Sequence, residues 1–185
     1  MPVQIGSKAH NFSDPTGLLS DCHRRIEMFM GVLERVAQII DSSPEDEVRR
    51  SLETALGYFR EAGPKHTADE EESLFPRLRT VESPQLRAAV AKLEELELDH
   101  RFSEPLHLRV DLLGQEYLAN GRLSEAQVAE FRDSVSELSA MYLRHIEVED
   151  KILFPAAAQA LSDADKRMIA EEMGKRRAVP LVSPA

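Results

Sequence analysis

The sequence contains one cysteine, Cys22, so an internal disulfide is excluded. It has no uninterrupted apolar run near the ~20 residues that a helix needs to span a bilayer, and its first ten residues, MPVQIGSKAH, hold no apolar signal segment. Acidic residues outnumber basic residues by 33 to 23, so no basic excess would drive counterion release from a phosphate backbone. We therefore expect a soluble protein in a reducing cytoplasm, with neither nucleic acid nor a membrane as a partner.

Strand-forming patterns, long linkers and low-complexity stretches are also missing from the chain. The length of 185 residues fits one domain with a single core. Four long segments have apolar residues at three- and four-residue steps, which is typical of amphipathic helices. Since short connections join antiparallel neighbours, we predict an all-α, up-down-up-down four-helix bundle. The predicted parts are an N-terminal segment (1–16), the bundle (17–155), and a C-terminal helical extension and tail (156–185).

Local signals predict where these helices begin and end. The second helix is expected to begin at Ser43-Pro44, and the third at Ser83-Pro84. Gly63-Pro64 predicts a kink or a local bulge within the second helix, because the apolar pattern resumes at once. Asn120-Gly121 ends the third helix, and Ser124 with Gln127 forms a capping box for the fourth.

One phrase occurs twice, as HTADEEESLFP beginning at His66 and as HIEVEDKILFP beginning at His145. In each copy the histidine is followed four residues later by a glutamate, Glu70 or Glu149. Positions i and i+4 share one face of a helix, so each phrase directs an imidazole and a carboxylate to one place. These two groups together are a pair of ligands for a transition metal.

Two further histidines, His23 and His100, precede the two phrases by similar intervals, so the whole set is duplicated. His145 and Glu149 continue the apolar seam of the fourth helix, which predicts that this ionisable pair is buried. A buried carboxylate without a partner costs several kcal/mol, so something must compensate it. A lone histidine on an apolar face is more often a hydrogen-bonded core residue, but convergence from four helices favours a metal centre.

The type and number of these side chains indicate which metal they would hold. Four imidazoles and two carboxylates exceed a tetrahedral zinc site, and no cysteine cluster suggests structural zinc. Mixed nitrogen and oxygen ligation suits iron or manganese, and two carboxylates are enough to bridge two ions, so we predict a dinuclear non-haem iron centre. A ferritin-like site would need two Glu-x-x-His motifs; only Glu97 with His100 fits, because Tyr142 stands three residues before His145.

With these residues the chain resembles the hemerythrin-like, or HHE cation-binding, family over about residues 18–155. The resemblance rests on His23, His100, the two phrases and their Leu-Phe-Pro endings. It implies a four-helix bundle around two iron ions (Fe2+/Fe3+) with an oxo or hydroxo bridge, in which histidines are terminal ligands and glutamates are bridges. The implied metal ligands are His23, His66, Glu70, His100, His145 and Glu149.

The resemblance also bears on activity. Oxygen-carrying hemerythrins have a second histidine four residues after the third-helix histidine; this chain has Glu104 there, which argues against simple reversible oxygen carriage. We expect the di-iron centre to bind or react with dioxygen, nitric oxide or peroxide; whether it turns over is open. The alternatives are a passive iron carrier or an iron or oxygen sensor without turnover, and a metal-free bundle. A homodimer that packs through an outer helical face is also left open.

Other residues near the motif have weaker expectations. Most of the neighbouring acids are expected to be solvated, with one or two contacting a ligand side chain; the acids are Asp69, Glu71, Glu72, Glu147 and Asp150. Apolar side chains are expected to exclude water from the site; these are Phe29, Phe59 and Phe102. His107 would line the pocket or contact a ligand residue. Glu104 could be a metal ligand or a gate, although it is more simply neither, and Tyr142 would be a hydrogen-bond donor or a core residue. Cys22 is expected in the core and His10 on the surface.

Overall fold

The computed structural model describes residues 14–84 and 86–178 of the chain. His10, most of the predicted N-terminal segment and the tail over 179–185 lie outside the described residues. Within the described ranges all regular structure is helical and no strand occurs, which confirms the all-α prediction. None of the helices in these ranges is both long enough and apolar enough to cross a membrane.

The helical segments follow one another with short connections. In chain order they are α1 (Pro15–Ile39), α2 (Asp46–Glu61), α3 (Gly63–Ala68), the π-helix π1 (Asp69–Leu74), α4 (Phe75–Thr80), α5 (Arg87–Val90), α6 (Leu93–Asn120), α7 (Glu125–Val148), the π-helix π2 (Glu149–Leu153), α8 (Phe154–Ala160) and α9 (Asp163–Arg176). The predicted second helix is thus α2, α3, π1 and α4 in succession, and it is interrupted at Ala62 only.

Two of the helix signals in the sequence are confirmed. Ser124 accepts a hydrogen bond from the Gln127 backbone N–H, and the Gln127 side chain accepts one from the Ser124 N–H at 2.9 Å, so the capping box of α7 is present. Gly121 ends α6 with φ at 72°, in the left-handed region that glycine adopts without steric cost. These two signals fix the tight turn between α6 and α7.

Two other predicted starts are wrong. Ser43-Pro44 does not cap α2, which begins at Asp46 with Glu45 at the cap position and no side-chain cap. Two acidic residues in the first turn interact favourably with the helix dipole there instead. Ser83-Pro84 opens only a turn and the short α5, because the carbonyl of Ser83 accepts from the N–H three residues later, and α6 begins at Leu93.

The four long helices contact one another in a ring: α1 with α2, α2 with α6, α6 with α7, and α7 with α1. Residues late in α1 contact residues early in α7, and residues early in α1 contact residues late in the continuous segment of α7 and π2. Arg132 donates to the Ala37 carbonyl at 2.7 Å, whereas His23, earlier in α1, contacts Asp150, later in the chain. The two segments are therefore antiparallel.

The apolar core consists of two clusters. The first packs between the long helices and includes Ile26, Leu33, Leu56, Phe131 and Leu138. The second packs among the start of α1, α4 to α6, α8, α9 and the π-helices, and includes Leu19, Leu74, Phe75, Leu153 and Phe154. His23 lies between Leu19 and Ile26, at the boundary of the two clusters. The predicted metal ligands are therefore held between two apolar layers.

Candidate metal centre

The structure brings the six predicted ligand side chains together from different elements. They are His23 on α1, His66 on α3, Glu70 in π1, His100 on α6, His145 on α7 and Glu149 in π2. Five of them are buried; the side chain of His100 is about 10% exposed. His23 is fully buried although it lies about a quarter turn from the main apolar stripe of its helix.

The ligand atoms form two overlapping groups. One consists of His23 and His66 with both glutamates, and the other of His100 and His145 with both glutamates. Within each group, one nitrogen or oxygen of every residue lies within 4.8 Å of those of the others. Because Glu70 and Glu149 belong to both groups, the arrangement offers two neighbouring cation positions that share two carboxylates.

An acid in each copy of the duplicated motif hydrogen-bonds to the histidine that precedes the other copy. The Nδ1–H of His23 donates to Asp150 at 2.8 Å, and that of His100 donates to Glu71 at 2.8 Å. These acids directly follow the two shared glutamates in the chain. The phenylalanines of the two Leu-Phe-Pro endings stack in the same crossed way; the pairs are Phe154 on His23, with ring centroids 5.2 Å apart, and Phe75 on His100, 6.3 Å apart. The duplication therefore positions the imidazoles reciprocally.

The histidines that begin the phrases differ from each other in their outer contacts. The Nδ1–H of His145 faces Asp99 at 3.3 Å, whereas Nδ1 of His66 is buried without a hydrogen-bond partner. Asp99 directly precedes His100, and the residue that directly precedes His23 is Cys22. Cys22 is half-buried rather than fully in the core, and burial raises the pKa of its thiol. The two halves of the site are therefore chemically unequal.

The two π-helices were missed by the sequence reasoning. In π1 the Phe75 N–H bonds to the carbonyl of Glu70, and in π2 the Phe154 N–H bonds to the carbonyl of Glu149, five residues earlier in each case. The proline that follows has no N–H to donate to the carbonyl four residues before it, so the Leu-Phe-Pro endings disrupt the regular helix. Single π-turns occur often at functional sites. Here each one begins at or next to a shared glutamate.

Several acceptor atoms in the site face each other. Once Nδ1 carries the proton, Nε2 of a neutral imidazole presents a lone pair. Nε2 of His100 lies 3.2 Å from Nε2 of His145, and Nε2 of His23 lies 3.1 Å from an oxygen of Glu149. Both oxygens of Glu70 and of Glu149 are buried and lack a partner in hydrogen-bond geometry, although Nε2 of His23 lies 3.1 Å from Glu149 and Nε2 of His100 lies 3.4 Å from Glu70. Positive charge placed between the acceptors would satisfy them all, so the donor set fits bound cations.

The pKa values of these groups show the same need for positive charge. Burial alone would lower the pKa of His23, but the hydrogen bond to Asp150 and the negative charge of Glu149, 3.1 Å away, outweigh it and raise the pKa to about 9. Burial is likewise outweighed at His145, where the charge of Glu149 helps to raise the pKa to about 10. Burial raises the pKa of Glu70, and the like charge of Glu149 adds to this shift. Without a metal, protons take the place of cations in the site.

A narrow cleft of about 10 Å³ lies among the four imidazoles. Next to it lies a wider cavity of about 530 Å³. The residues that line both spaces are Gly63, Thr67, His100 and Tyr142. A small molecule in the wider cavity would therefore meet the metal centre at the His100 side.

The wider cavity is also lined by some of the residues that the sequence placed near the site without a ligand role. Glu104 is exposed and lines the cavity, and it belongs to neither group of ligand atoms. His107 lines the cavity, as predicted. Phe59 lines it too, but Phe102 does not and is 47% exposed, so its predicted role in excluding water is wrong. Phe29 stacks on a tyrosine at the edge of the first apolar cluster, away from the residues that line the cleft.

The acids beside the motif are solvated except in three places. Glu71 and Asp150 contact ligand histidines, as expected for one or two of the acids, whereas Glu72 and Glu147 are exposed. Asp69 contradicts the prediction of a solvated side chain, because it is fully buried. It pairs with Arg176 at 2.9 Å and with Arg177 at 2.5 Å, at the end of α9. The C-terminal helix thus anchors the start of π1.

A helical domain that buries four imidazoles and two carboxylates around one cleft has the properties of a cation-binding domain. A family model described as the hemerythrin HHE cation-binding domain matches residues 14–157. The match covers most of the chain, so the protein belongs to the hemerythrin HHE family, and the resemblance stated from the motif is confirmed. No curated protein sequence matches the chain significantly.

Replacing Glu71 by alanine is expected to weaken binding of a metal ion at the His100 position by about 10- to 100-fold. Glu71 orients the His100 ring through its 2.8 Å hydrogen bond and increases the basicity of the imidazole. The measurement is competition for ferrous iron with a chromophoric chelator under anaerobic conditions. Glu72→Ala is the matched control, because the adjacent Glu72 is exposed and contacts Arg176 only at the surface. Equal affinities of the two variants would contradict this role of Glu71.

Proposed function

We propose that the protein is a non-haem di-iron protein that binds or reacts with a small ligand such as dioxygen, nitric oxide or peroxide. The observation that carries the proposal is the pair of overlapping groups that share Glu70 and Glu149. Donors of mixed nitrogen and oxygen type, with no thiolate among them, suit iron better than structural zinc. Bound iron would supply redox chemistry between diferrous and diferric states.

The protein's own residues would hold, orient and shield this centre. His23 and His66 would be terminal ligands of one ion, and His100 and His145 of the other, with the glutamates between them. Asp150 and Glu71 would keep two of the rings in the correct tautomer through their Nδ1–H bonds. The isoleucines that line the cleft on α1 and α7 would keep bulk water from the ions. A small ligand would enter from the cavity beside His100.

Loading the protein anaerobically with ferrous iron tests this proposal directly. We expect uptake of about two equivalents, followed on exposure to air by near-ultraviolet absorption of an oxo-bridged ferric pair. Saturation at one equivalent would contradict the dinuclear centre. Metal analysis of protein purified without added iron shows whether zinc, which has no such absorption, competes for the site.

A passive iron carrier or an iron or oxygen sensor is the second candidate function. It is favoured by the unpartnered oxygens of Glu70 and Glu149, because a site that is poorly satisfied without metal couples metal binding to the stability of the fold. Repeated additions of peroxide to the diferrous protein distinguish the two functions. An enzyme would consume many equivalents, whereas a carrier or sensor would react once at most. A metal-free bundle is less favoured, because it would depend on protonated imidazoles to balance two buried carboxylates whose oxygens have no partner in hydrogen-bond geometry.

The antiparallel contacts extend to other helix pairs, which supports the up-down-up-down topology. Arg49 at the start of α2 donates to the Leu118 carbonyl near the end of α6, and Arg60 at the end of α2 pairs with Asp111, earlier in α6. We propose this topology for the bundle over 17–155, with the extension over 156–185 packed against it. A homodimer, a cytoplasmic location and the absence of nucleic-acid and membrane partners stay predictions from the sequence.

Metal uptake at pH 7 is expected to release at least two protons for each protein molecule: two from His23 and His145, and a further fraction from Glu70, whose pKa burial raises to about 7. The pKa values of His23 and His145 are about 9 and about 10, so both rings hold an extra proton in the metal-free site at neutral pH. Each ring must lose that proton to bind a metal, so binding weakens as the pH falls. Two released protons correspond to about 100-fold weaker overall loading for each pH unit. Calorimetry in buffers of different ionisation enthalpy measures the number; a pH-independent affinity would contradict it.

A further inference from the structure

Tyr142 on α7 and His107 on α6 form a pair at the junction of the cleft and the wider cavity. The Tyr142 hydroxyl lies 2.7 Å from Nε2 of His107. Tyr142 lines both spaces, whereas His107 lines the cavity. Neither residue belongs to the two groups of ligand atoms. The pair is therefore next to the centre, and it is not needed to hold the metals.

Both members of the pair are neutral at physiological pH. Burial lowers the pKa of His107 to about 4, and its ring stacks on Phe59 with centroids 4.7 Å apart. Burial, with a contribution from Tyr58, raises the pKa of Tyr142. A neutral imidazole that donates from Nε2 to the phenol oxygen leaves the phenol O–H free to donate elsewhere.

The duplicated half of the site has no counterpart of this phenol. Tyr142 lies three residues before His145, and the residue three before His66 is Gly63. A Cβ atom at Gly63 would meet no atom within 4 Å, so the space beside Gly63, which lines the cleft and the cavity together with Tyr142, is open. Thr67 is the other residue with a hydroxyl in the lining of the cleft. A ligand that passes Gly63 toward His100 would come within reach of the phenol.

We propose that Tyr142 donates a hydrogen bond to a small anionic ligand at the junction of the cleft and the wider cavity, and that His107 is the positioning residue that orients the phenol for this bond. The inference rests on the proposed function, because bound metal ions are what would attract an anion to this junction. One hydrogen bond from a neutral donor to an anion is expected to change the affinity by about tenfold.

Azide is a suitable probe for the iron-loaded, air-oxidised full-length protein. Iron content is measured first, then the azide dissociation constant from its absorption band, and then the infrared azide stretch in H₂O and D₂O. Tyr142→Phe is expected to keep two iron equivalents, weaken azide binding about tenfold and abolish the shift of the stretch in D₂O. Tyr58→Phe is the matched control, since the Tyr58 hydroxyl contacts the Cys22 carbonyl outside the cleft; it should leave all three readouts unchanged.

The role of His107 is tested by two substitutions. His107→Leu should weaken azide binding and reduce the isotope shift, whereas His107→Gln, which keeps a side-chain N–H, should restore both. The inference would be overturned if Tyr142→Phe, with normal iron content, bound azide as tightly as the wild type and kept the isotope shift. It would also be overturned if Thr67→Val, rather than Tyr142→Phe, lost the azide affinity and the isotope shift. Wild-type protein that binds no iron would overturn the proposed function and this inference together. If iron loading is normal and azide binding by Tyr142→Phe is unchanged, the inference is overturned and the proposed function is not.

Discussion

Glu149→Gln is expected to lower the affinity of both cation positions by more than about 100-fold, so that purified protein retains almost no iron. Glu149 is fully buried and is one of the two residues common to both groups of ligand atoms. Its carboxylate approaches His23 at 3.1 Å and His145 at 3.2 Å. The neutral amide is a poor ligand and removes a charge that would offset the cations. Iron per protein after desalting, measured by mass spectrometry, gives the result.

The matched control for this variant is Glu147→Gln. Glu147 lies two residues earlier, is exposed, and pairs with Lys151 at the surface, so its loss should leave two iron equivalents bound. Retention of two equivalents by Glu149→Gln would contradict a bridging role for Glu149. The metal-free form of Glu149→Gln is expected to be less stable than the metal-free wild type at pH 7, because the protonated rings of His23 and His145 lose the carboxylate that lies 3.1 and 3.2 Å from them.

The parts of the molecule that could be predicted from the sequence depend on local spacing. The i, i+4 pairs predicted that His66 and Glu70, and likewise His145 and Glu149, share one place, and both pairs are within about 3.3 Å. The capping box at Ser124 depends on residues only three apart. Such patterns are readable because helix geometry converts sequence distance directly into spatial distance.

The missed features depend on contacts between distant segments or on a departure from regular helix geometry. Asp69 looked like one more exposed acid of an acidic run, and only the position of α9 brings Arg176, 107 residues later, against it. The crossed bonds from His23 to Asp150 and from His100 to Glu71 also join separate helices. The π-helices alter the helical phase just where each phrase supplies a shared glutamate and the acid that follows it, Glu70-Glu71 and Glu149-Asp150. The repeated Leu-Phe-Pro ending was the available signal for them.

The inequality of the two halves is a consequence of imperfect duplication. The second half provides Asp99 to His145 and the phenol of Tyr142 at the junction, whereas the first half has Cys22 and Gly63 at the corresponding positions. The wider cavity opens at His100, which is in the second half. In the proposed di-iron centre, only the ion at the His100 side would therefore meet an incoming ligand.

Removing the metal is expected to lower the midpoint of thermal unfolding by about 10–20 °C. Each ion present at a free concentration of 100 times its dissociation constant would contribute about 2.7 kcal/mol, because it binds the folded state alone. In a chain of this length, 1 kcal/mol shifts the midpoint by about 2–4 °C, so two ions account for the range. The measurement compares circular dichroism melts of iron-loaded protein with and without excess chelator.

The reason for so large an effect is the composition of the metal-free site. It would retain two buried carboxylates and four imidazoles at the boundary between the two apolar clusters, with extra protons on His23 and His145 as the replacement for the cations. Glu149→Gln serves as the control, since its melts should differ little with and without chelator. Identical melts of the wild type under both conditions, with two iron equivalents shown to be removed, would mean that the folded and unfolded chains bind iron equally well. The buried ligand set would then not be preorganised for metal, which contradicts the centre proposed from its geometry.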